Sequence, residues 1–328
     1  MLNWLKLTVI FNRPTAMAKL GATGLVLLAL GLTGCAHARP LTAQAPATKH
    51  VFIISFDQGN PALIQRSAMP TFNGMAAEGA HTWSAYTIVP SLTLPSHTSM
   101  LTGVGPQVHQ VLWNDYQTNK GLVKVPTIFS LAKERGLVTA MFVGKEKFEH
   151  LILPGSVDAF VWPQPADDAL AVAQVFAARV GTLKPNLCFI HFRDPDTAGH
   201  KYGANSPEKM QALAHCDAAL KVIRDAIAAA GLTDSSVIIL TADHGGHDIP
   251  GKDGKMVGTH GSAESADVQI PWVAWGPGVK KHFTITAPVV QYDTAATALW
   301  LLDVPRPEYF WGRPVTSAFE TKTTAADN

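Results

Sequence analysis

The chain has 328 residues, with 26 Lys and Arg against 25 Asp and Glu, a formal net charge of +1 and 47% apolar residues. This balance excludes a disordered chain, which needs low hydrophobicity with high net charge. It also gives no support to sequence-independent nucleic-acid binding, which needs a basic excess. Three cysteines, Cys35, Cys188 and Cys216, are too few for a disulfide scaffold and lack metal-type spacing.

In chain order, residues 1–19 carry Lys6, Arg13 and Lys19 and no acid, and the 14 residues Leu20–Thr33 are uncharged and apolar. That run is shorter than the roughly 20 residues of a transmembrane helix and suits the apolar core of an export signal. It ends in Leu32-Thr33-Gly34-Cys35, which resembles a bacterial lipoprotein signal. The resemblance implies lipidation of Cys35. With Ala36 following, it also implies the periplasmic face of the outer membrane, with membrane contact only through the lipid anchor. An ordinary signal, giving a soluble periplasmic or secreted protein, is the alternative. Residues 35–49, rich in Ala, Pro and Thr, read as a flexible tether. Residues 50–316 form the expected single catalytic domain, and 317–328 a polar tail.

His50–Phe56 is a continuous apolar run closed by Asp57, as expected of a buried parallel strand. Helix is expected over Val125–Arg135, Asp167–Val180, Pro207–Ala230 and Asp293–Leu302. Strands are expected over Leu137–Val143, Asn186–Phe192, Ser236–Thr241 and Gln269–Trp275. Ser206 stands where a helix N-cap belongs. This alternation predicts an α/β three-layer sandwich, a mostly parallel central sheet with helices on both faces. Cys188 and Cys216 read as buried thiols rather than a pair.

In open α/β sheets functional groups gather beyond the carboxyl ends of the strands. Four segments place acids and histidines there: Asp57, Asp196 with His200, Asp243 with His244, and His260. Three carboxylates and three imidazoles form a hard-to-borderline set suited to zinc or a similar divalent ion. Six ligands fit two ions with open positions better than one closed structural site. The Pro90–Gly103 stretch is rich in hydroxyls, with Pro95 suited to a first helical turn. Thr93 reads as the N-cap of that helix or as a hydroxyl placed where a helix N-terminus attracts phosphate.

The Thr93-x-Pro95-x-His97 turn, Asp196-x-x-Gly199-His200, Ala242-Asp243-His244-Gly245 and Thr259-His260-Gly261 follow one another along the chain. Together they resemble the alkaline phosphatase superfamily, nearest its type I phosphodiesterase/nucleotide pyrophosphatase and phosphonoacetate hydrolase branches, over about residues 50–315. The resemblance implies Thr93 as nucleophile, with Asp196, His200 and His260 holding one zinc ion. Asp57, Asp243 and His244, with the Thr93 oxygen, would hold the other. It also implies that Asn114, 21 positions after Thr93, binds a phosphoryl oxygen. No Cys/Ser-x-Pro-x-Arg surrounds Thr93, which disfavours a sulfatase. A cofactor-independent mutase would need a serine nucleophile and a large inserted domain. His244 and His260 are only 16 positions apart, so the insertion that shapes substrate choice in the animal phosphodiesterases is missing.

The expected activity is two-metal hydrolysis of a small phosphorylated substrate through phospho-Thr93, with no nucleic-acid polymer as partner. Val143–Lys147 resembles the lysine pair of phosphonoacetate hydrolases, so Lys145 and Lys147 are expected to bind substrate and favour monoesters or phosphonates. Cleavage of nucleotide diesters is the alternative, and a non-catalytic, metal-stabilised surface lipoprotein the third reading. His97 is expected to support the site and His247 to donate a nearby hydrogen bond. His81, His109, His150, His191 and His282 are expected to be structural or exposed.

Overall fold

A computed structural model describes residues 44–164, 168–252 and 254–320. Its strands are β1 (His50–Phe56), β2 (Ala80–Tyr86), β3 (Thr139–Val143), β4 (Ala159–Val161), β5 (Leu187–Phe192), β6 (Ser236–Ala242), β7 (His247–Pro250), β8 (Met256–Thr259), β9 (Gln269–Trp275) and β10 (Phe283–Thr284). Eight of them form one sheet in the order β10-β2-β9-β6-β1-β5-β3-β4, and β7 pairs with β8 in a separate hairpin. In the eight-stranded sheet, among the described residues, only β9 runs against its neighbours, pairing antiparallel with β6 and β2; β7 and β8 are also antiparallel. The mostly parallel sheet is therefore as the sequence predicts.

Strand alternation divides the core. Val51 and Ile53 of β1 pack on one face with Leu94, Ile128, Phe129 and Leu299. Phe52, Ile54 and Phe56 pack on the other with Phe72, Phe176, Leu213 and Leu220. Helices Thr93–Thr102, Ile128–Glu134 and Asp293–Leu301 thus cover one face, and Pro70–Glu78, Ala169–Leu183 and Pro207–Ala229 the other. Each large aliphatic or aromatic side chain buried this way contributes about 1.5–3 kcal/mol. With both faces covered, β1 is fully buried along its length, which is why it reads as a continuous apolar run rather than an alternating one.

Helix ends follow local chemistry. Ser206 Oγ accepts from Lys209 N at 3.2 Å, as its position implies. Thr93 differs. Leu92 holds the N-cap position and Thr93 is the first helical residue, so its hydroxyl does not cap the helix.

Several sequence boundaries move. Lys49 N donates to Ser235 O, Asn186 Nδ2 donates to Lys49 O, and Gly278 lies against Pro46. Residues 44–49 therefore lie along the domain, whereas the expected tether ran to residue 49. At the other end, Phe319 is buried and Glu320 N donates to Gly278 O. The domain consequently reaches residue 320, beyond the expected limit at 316. Cys188 and Cys216 are buried free thiols, as expected. The leader, the lipidation position Cys35 and residues 321–328 lie outside the described residues. No helix among the described residues is long and apolar enough to cross a membrane.

Candidate active site

Sheet register brings the first group together. Phe56 and Ala242 pair on adjacent parallel strands, so Asp57 and Asp243, the next residue on each, emerge side by side. Asp57 Oδ2 is held by His191 Nε2 at 3.0 Å and Lys145 Nζ at 2.5 Å. Asp243 Oδ1 accepts from the backbone N–H groups of Gln58 and His244, at 3.1 and 2.9 Å. Each carboxylate thus has one oxygen fixed by the scaffold. Their other oxygens, Asp57 Oδ1 and Asp243 Oδ2, are buried without a hydrogen-bond partner. His244 Nε2 faces both, at 3.5 and 3.2 Å.

The second group comes from a helix and the end of a hairpin. Asp196 and His200 lie one turn apart on the Asp194–Tyr202 helix, and His260 follows β8. His200 Nε2 and His260 Nε2 lie 3.2 and 3.5 Å from Asp196 Oδ1 and 3.1 Å from each other. Asp196 Oδ2 is tied to Lys145 Nζ at 2.7 Å, and Oδ1 has no hydrogen-bond partner. The His244 and His260 rings stack 3.8 Å apart, joining the two groups.

These donor sets fit metal ions on chemical grounds. His200, His244 and His260 each place Nδ1 against a backbone carbonyl, of Gly258, Gly245 and Ser91 at 3.0, 2.8 and 2.9 Å. A carbonyl oxygen only accepts, so Nδ1 carries the proton and Nε2 presents a lone pair. When ionised, the carboxylates that this lone pair faces also can only accept. A cation resolves the conflict, and fixing of the ring through its other nitrogen is the usual support of a metal-bound histidine. In each of the sets Asp57/Asp243/His244 and Asp196/His200/His260, one ligand atom per residue lies within 4.8 Å of the others.

The charges report the same crowding. Burial opposes ionisation of Asp57, but Lys145 and His191 hold its carboxyl well below the usual range. Burial and the neighbouring Asp57 charge push Asp243 well up. Burial, then the nearby His260, pulls His244 down to about 3, keeping its imidazole neutral. Burial also works against the Lys145 ammonium, yet Asp196 and Asp57 hold its pKa above that of an ordinary lysine.

Thr93 Oγ1 lies 3.4 Å from His244 Nε2 and is buried. The carbonyl of Thr93 accepts from His97 Nδ1 at 2.8 Å, and His97 Nε2 meets Ser55 Oγ at 2.8 Å. Asn114 comes to the same place: its Oδ1 accepts from Leu94 N at 2.9 Å, which turns its NH₂ away from that contact. Lys147 is half-buried and makes no hydrogen bond or ion pair among the described residues. Burial, then the like charge of Lys145, lowers its pKa.

Three further residues belong to this neighbourhood and carry no motif. His191, expected to be structural or exposed, is buried and holds Asp57; it pairs opposite Ser55, two residues before Asp57, a register that no sequence signal announces. Ser91 binds the His260 loop from three directions, through its carbonyl to His260, its hydroxyl to Ser262 O at 2.8 Å, and Gly261 N to that hydroxyl at 3.1 Å. Gln58, packed behind both groups, is the third. His247 Nδ1 donates to Asp267 at 2.7 Å.

A mostly parallel sheet whose strand ends carry paired Asp/His groups beside a threonine at a helix start is the framework of the alkaline phosphatase superfamily. The sequence profile of the type I phosphodiesterase / nucleotide pyrophosphatase family matches residues 51–281, and the chain belongs to that family. Human ectonucleotide pyrophosphatase/phosphodiesterase family member 7 is 23% identical over 261 residues, covering 73% of this chain and 57% of that protein. The chain thus spans less than two thirds of the length of this relative. Murine ectonucleotide pyrophosphatase/phosphodiesterase 5, solved as an inactive variant with AMP, superposes with a TM-score of 0.71 at 15% identity, over 83% of this chain and 100% of that one. A 2-O GAG sulfatase gives 0.65 at 16% identity over 85% of this chain and 76% of that one, a likeness of fold.

Proposed function

We propose that the protein is a metal-dependent phosphodiesterase or nucleotide pyrophosphatase that works through a phospho-Thr93 intermediate. The observation that carries this reading is the Thr93 hydroxyl lying against His244, where the two carboxylate–imidazole groups meet. Asp57, Asp243 and His244 would hold one divalent ion and Asp196, His200 and His260 a second, with zinc suited to this nitrogen and oxygen set. When bound, such ions supply Lewis-acid stabilisation of phosphoryl charge and lower the pKa of a coordinated hydroxyl. Thr93 Oγ1 attacks phosphorus and gives up its proton to solvent, and the P–O bond to the leaving alcohol or nucleotide breaks. The leaving group departs, taking up a proton where it needs one. Water then cleaves the resulting esterified phospho-Thr93, releasing the phosphate monoester and restoring the hydroxyl. Asn114, anchored through Leu94 N, presents its NH₂ to a non-bridging oxygen, a type of contact worth about 3 kcal/mol.

The family match, together with a neighbour solved with AMP, favours nucleotide diesters over the monoester or phosphonate leaning read from the two lysines. Lys145 offers a physical reason. Its charge is already matched by Asp57 and Asp196, so it is a weak discriminator for the second charge of a monoester. Lys147 keeps its substrate role in this reading, as a cation without a hydrogen bond or ion pair among the described residues.

A panel of bis-p-nitrophenyl phosphate, dinucleotide pyrophosphates, p-nitrophenyl phosphate and phosphonoacetate tests the assignment. Diesters or pyrophosphates are expected to be cleaved at least about tenfold better by kcat/KM, and the reverse order would return the monoester reading. Thr93→Ala is expected to lower turnover at least about 1000-fold; retention of a tenth would end the covalent route. The leader reading adds a lipid on Cys35 and a periplasmic outer-membrane location, which Cys35→Ser tests by releasing the protein from the membrane fraction.

A further inference from the structure

Three unfavourable choices converge behind the site. Gln58 holds a φ of +58°, a left-handed conformation in which side chains other than glycine are strained. Lys209 sits in the first turn of the Pro207–Ala229 helix, where the helix dipole opposes a cation, and it is completely buried. The amide Nε2 of Gln58 is a buried donor without a partner. The first two choices meet directly, since Lys209 Nζ donates to Gln58 Oε1 at 2.5 Å. Such choices persist where the surrounding structure over-determines them, and they cluster at functional sites.

Gln58 touches each segment that carries the four ligands Asp57, Asp243, His244 and His200. It follows Asp57, and its backbone N–H donates to Asp243 Oδ1. Its side-chain amide fills the space over two glycines. A Cβ on Gly199, the residue before His200, would stand 2.0 Å from Gln58 Oε1. One on Gly246, two residues after His244, would stand 2.9 Å from Cδ and Nε2. The amide is therefore wedged between the helix that bears Asp196 and His200 and the turn that bears Asp243 and His244.

We propose that Gln58 and Lys209 form a spacer that sets the separation of the two metal-binding groups, with Lys209 as a positioning residue pinning the glutamine amide between the two glycine-bearing segments. The inference rests on the reading of those groups as metal sites. Burial brings Lys209 down to about 8, and the Asp196, Asp57, Asp248 and Asp243 carboxylates work to keep it charged.

The test compares wild type, Gln58→Gly, Lys209→Met and Gln58→Glu, each stripped and then titrated with Zn²⁺. The readouts are affinity, stoichiometry, the ion–ion separation by X-ray absorption, and the melting temperature of the stripped protein. Wild type is expected to take two ions at the separation of about 3.5–4 Å usual in two-metal sites. Gln58→Gly relieves the positive φ but leaves the buried Lys209 without its acceptor, so the stripped variant is expected to melt lower. Measured below that melting point, it is expected to bind at least one ion tenfold or more weaker with an altered separation. Lys209→Met is expected to shift affinity and separation the same way. Gln58→Glu keeps the acceptor for Lys209 and is expected to stay within threefold of wild type. Two ions bound by wild type and by Gln58→Gly with equal affinity and separation would overturn the spacer. A wild-type protein that takes up no zinc overturns the metal reading and the spacer with it. Should Lys209→Met fail to fold, Gln58→Gly decides the matter alone.

Discussion

The two ligand groups are built from different material. Asp57, Asp243 and His244 are fully buried at the ends of two hydrogen-bonded parallel strands. Asp196, His200 and His260 come from a helix and a hairpin end, and half of the His200 side chain (49%) is exposed. In the first group the sheet ladder sets the ligand spacing before any metal arrives. In the second, placement depends on a few polar contacts, chiefly Ser91 to His260 and Gly258 to His200. Under the proposed metal reading, the buried group would hold its ion more tightly, beside Thr93, and the open one would exchange its ion more readily.

Removing one ligand from each group gives the largest contrast. Asp243→Asn and His200→Asn are each expected to weaken zinc binding by more than about 100-fold in their own group, since loss of outer supporting contacts alone costs 10–100-fold. Their effects on the stripped protein differ in sign. Burial and the Asp57 charge disfavour an ionised Asp243, and an asparagine NH₂ at the Oδ2 position can donate to the lone pair of His244. Stripped Asp243→Asn should therefore melt higher than wild type, and stripped His200→Asn within a degree or two. Equal shifts in calorimetry would erase the distinction between buried and open groups.

A subtler break comes from Ser91→Ala, which keeps the carbonyl but removes the hydroxyl from Ser262 and Gly261. Isothermal titration should show the weaker-binding ion lost by a further factor of about 10 and the tighter one unchanged. The smallest effect is a pH dependence at the edge of the open group. The Asp267 carboxylate, through its hydrogen bond, raises His247 above the ordinary histidine value, with Glu264 and Asp248 also acting on it. A raised folded-state pKa gives stability that is complete below about 6.5 and is lost as pH climbs through the higher folded value. The melting-temperature gap between wild type and His247→Gln should therefore be wider at pH 6 than at pH 9.

Asp57 and Asp243 with His244 were legible as candidate ligands because an apolar strand stops at a polar residue there, as Phe56-Asp57 and Ala242-Asp243 do. Asp196 with His200, on a helix, and His260, after a hairpin, were instead legible through their short motifs. The parallel sheet was legible because its central strands are apolar on both faces. The supports were not. Ser91, Gln58 and His191 act through neighbours 171, 185 and 134 positions away, and no local pattern encodes such a contact. Strand β2 was missed because its burial is irregular and its pairing with β9 shifts between Thr82 and Ala85. The boundaries at residues 49 and 316 move because an Ala-, Pro- and Thr-rich stretch and a polar tail read as free chain, while backbone hydrogen bonds to Ser235 and Gly278 hold those ends down.

The β7–β8 hairpin joins His244 to His260 and has two unlike ends. Its stem is nailed to the helix: Gly258 lies so close to Gly199 that a Cβ would stand 2.5 Å from the Gly199 carbonyl oxygen. Its tip, with Lys252, Gly254 and Lys255, is exposed. Added length is tolerated at such tips and punished at such stems. A segment grafted at the tip would therefore leave the Gly258–Gly199 contact in place, and one grafted at the stem would break it.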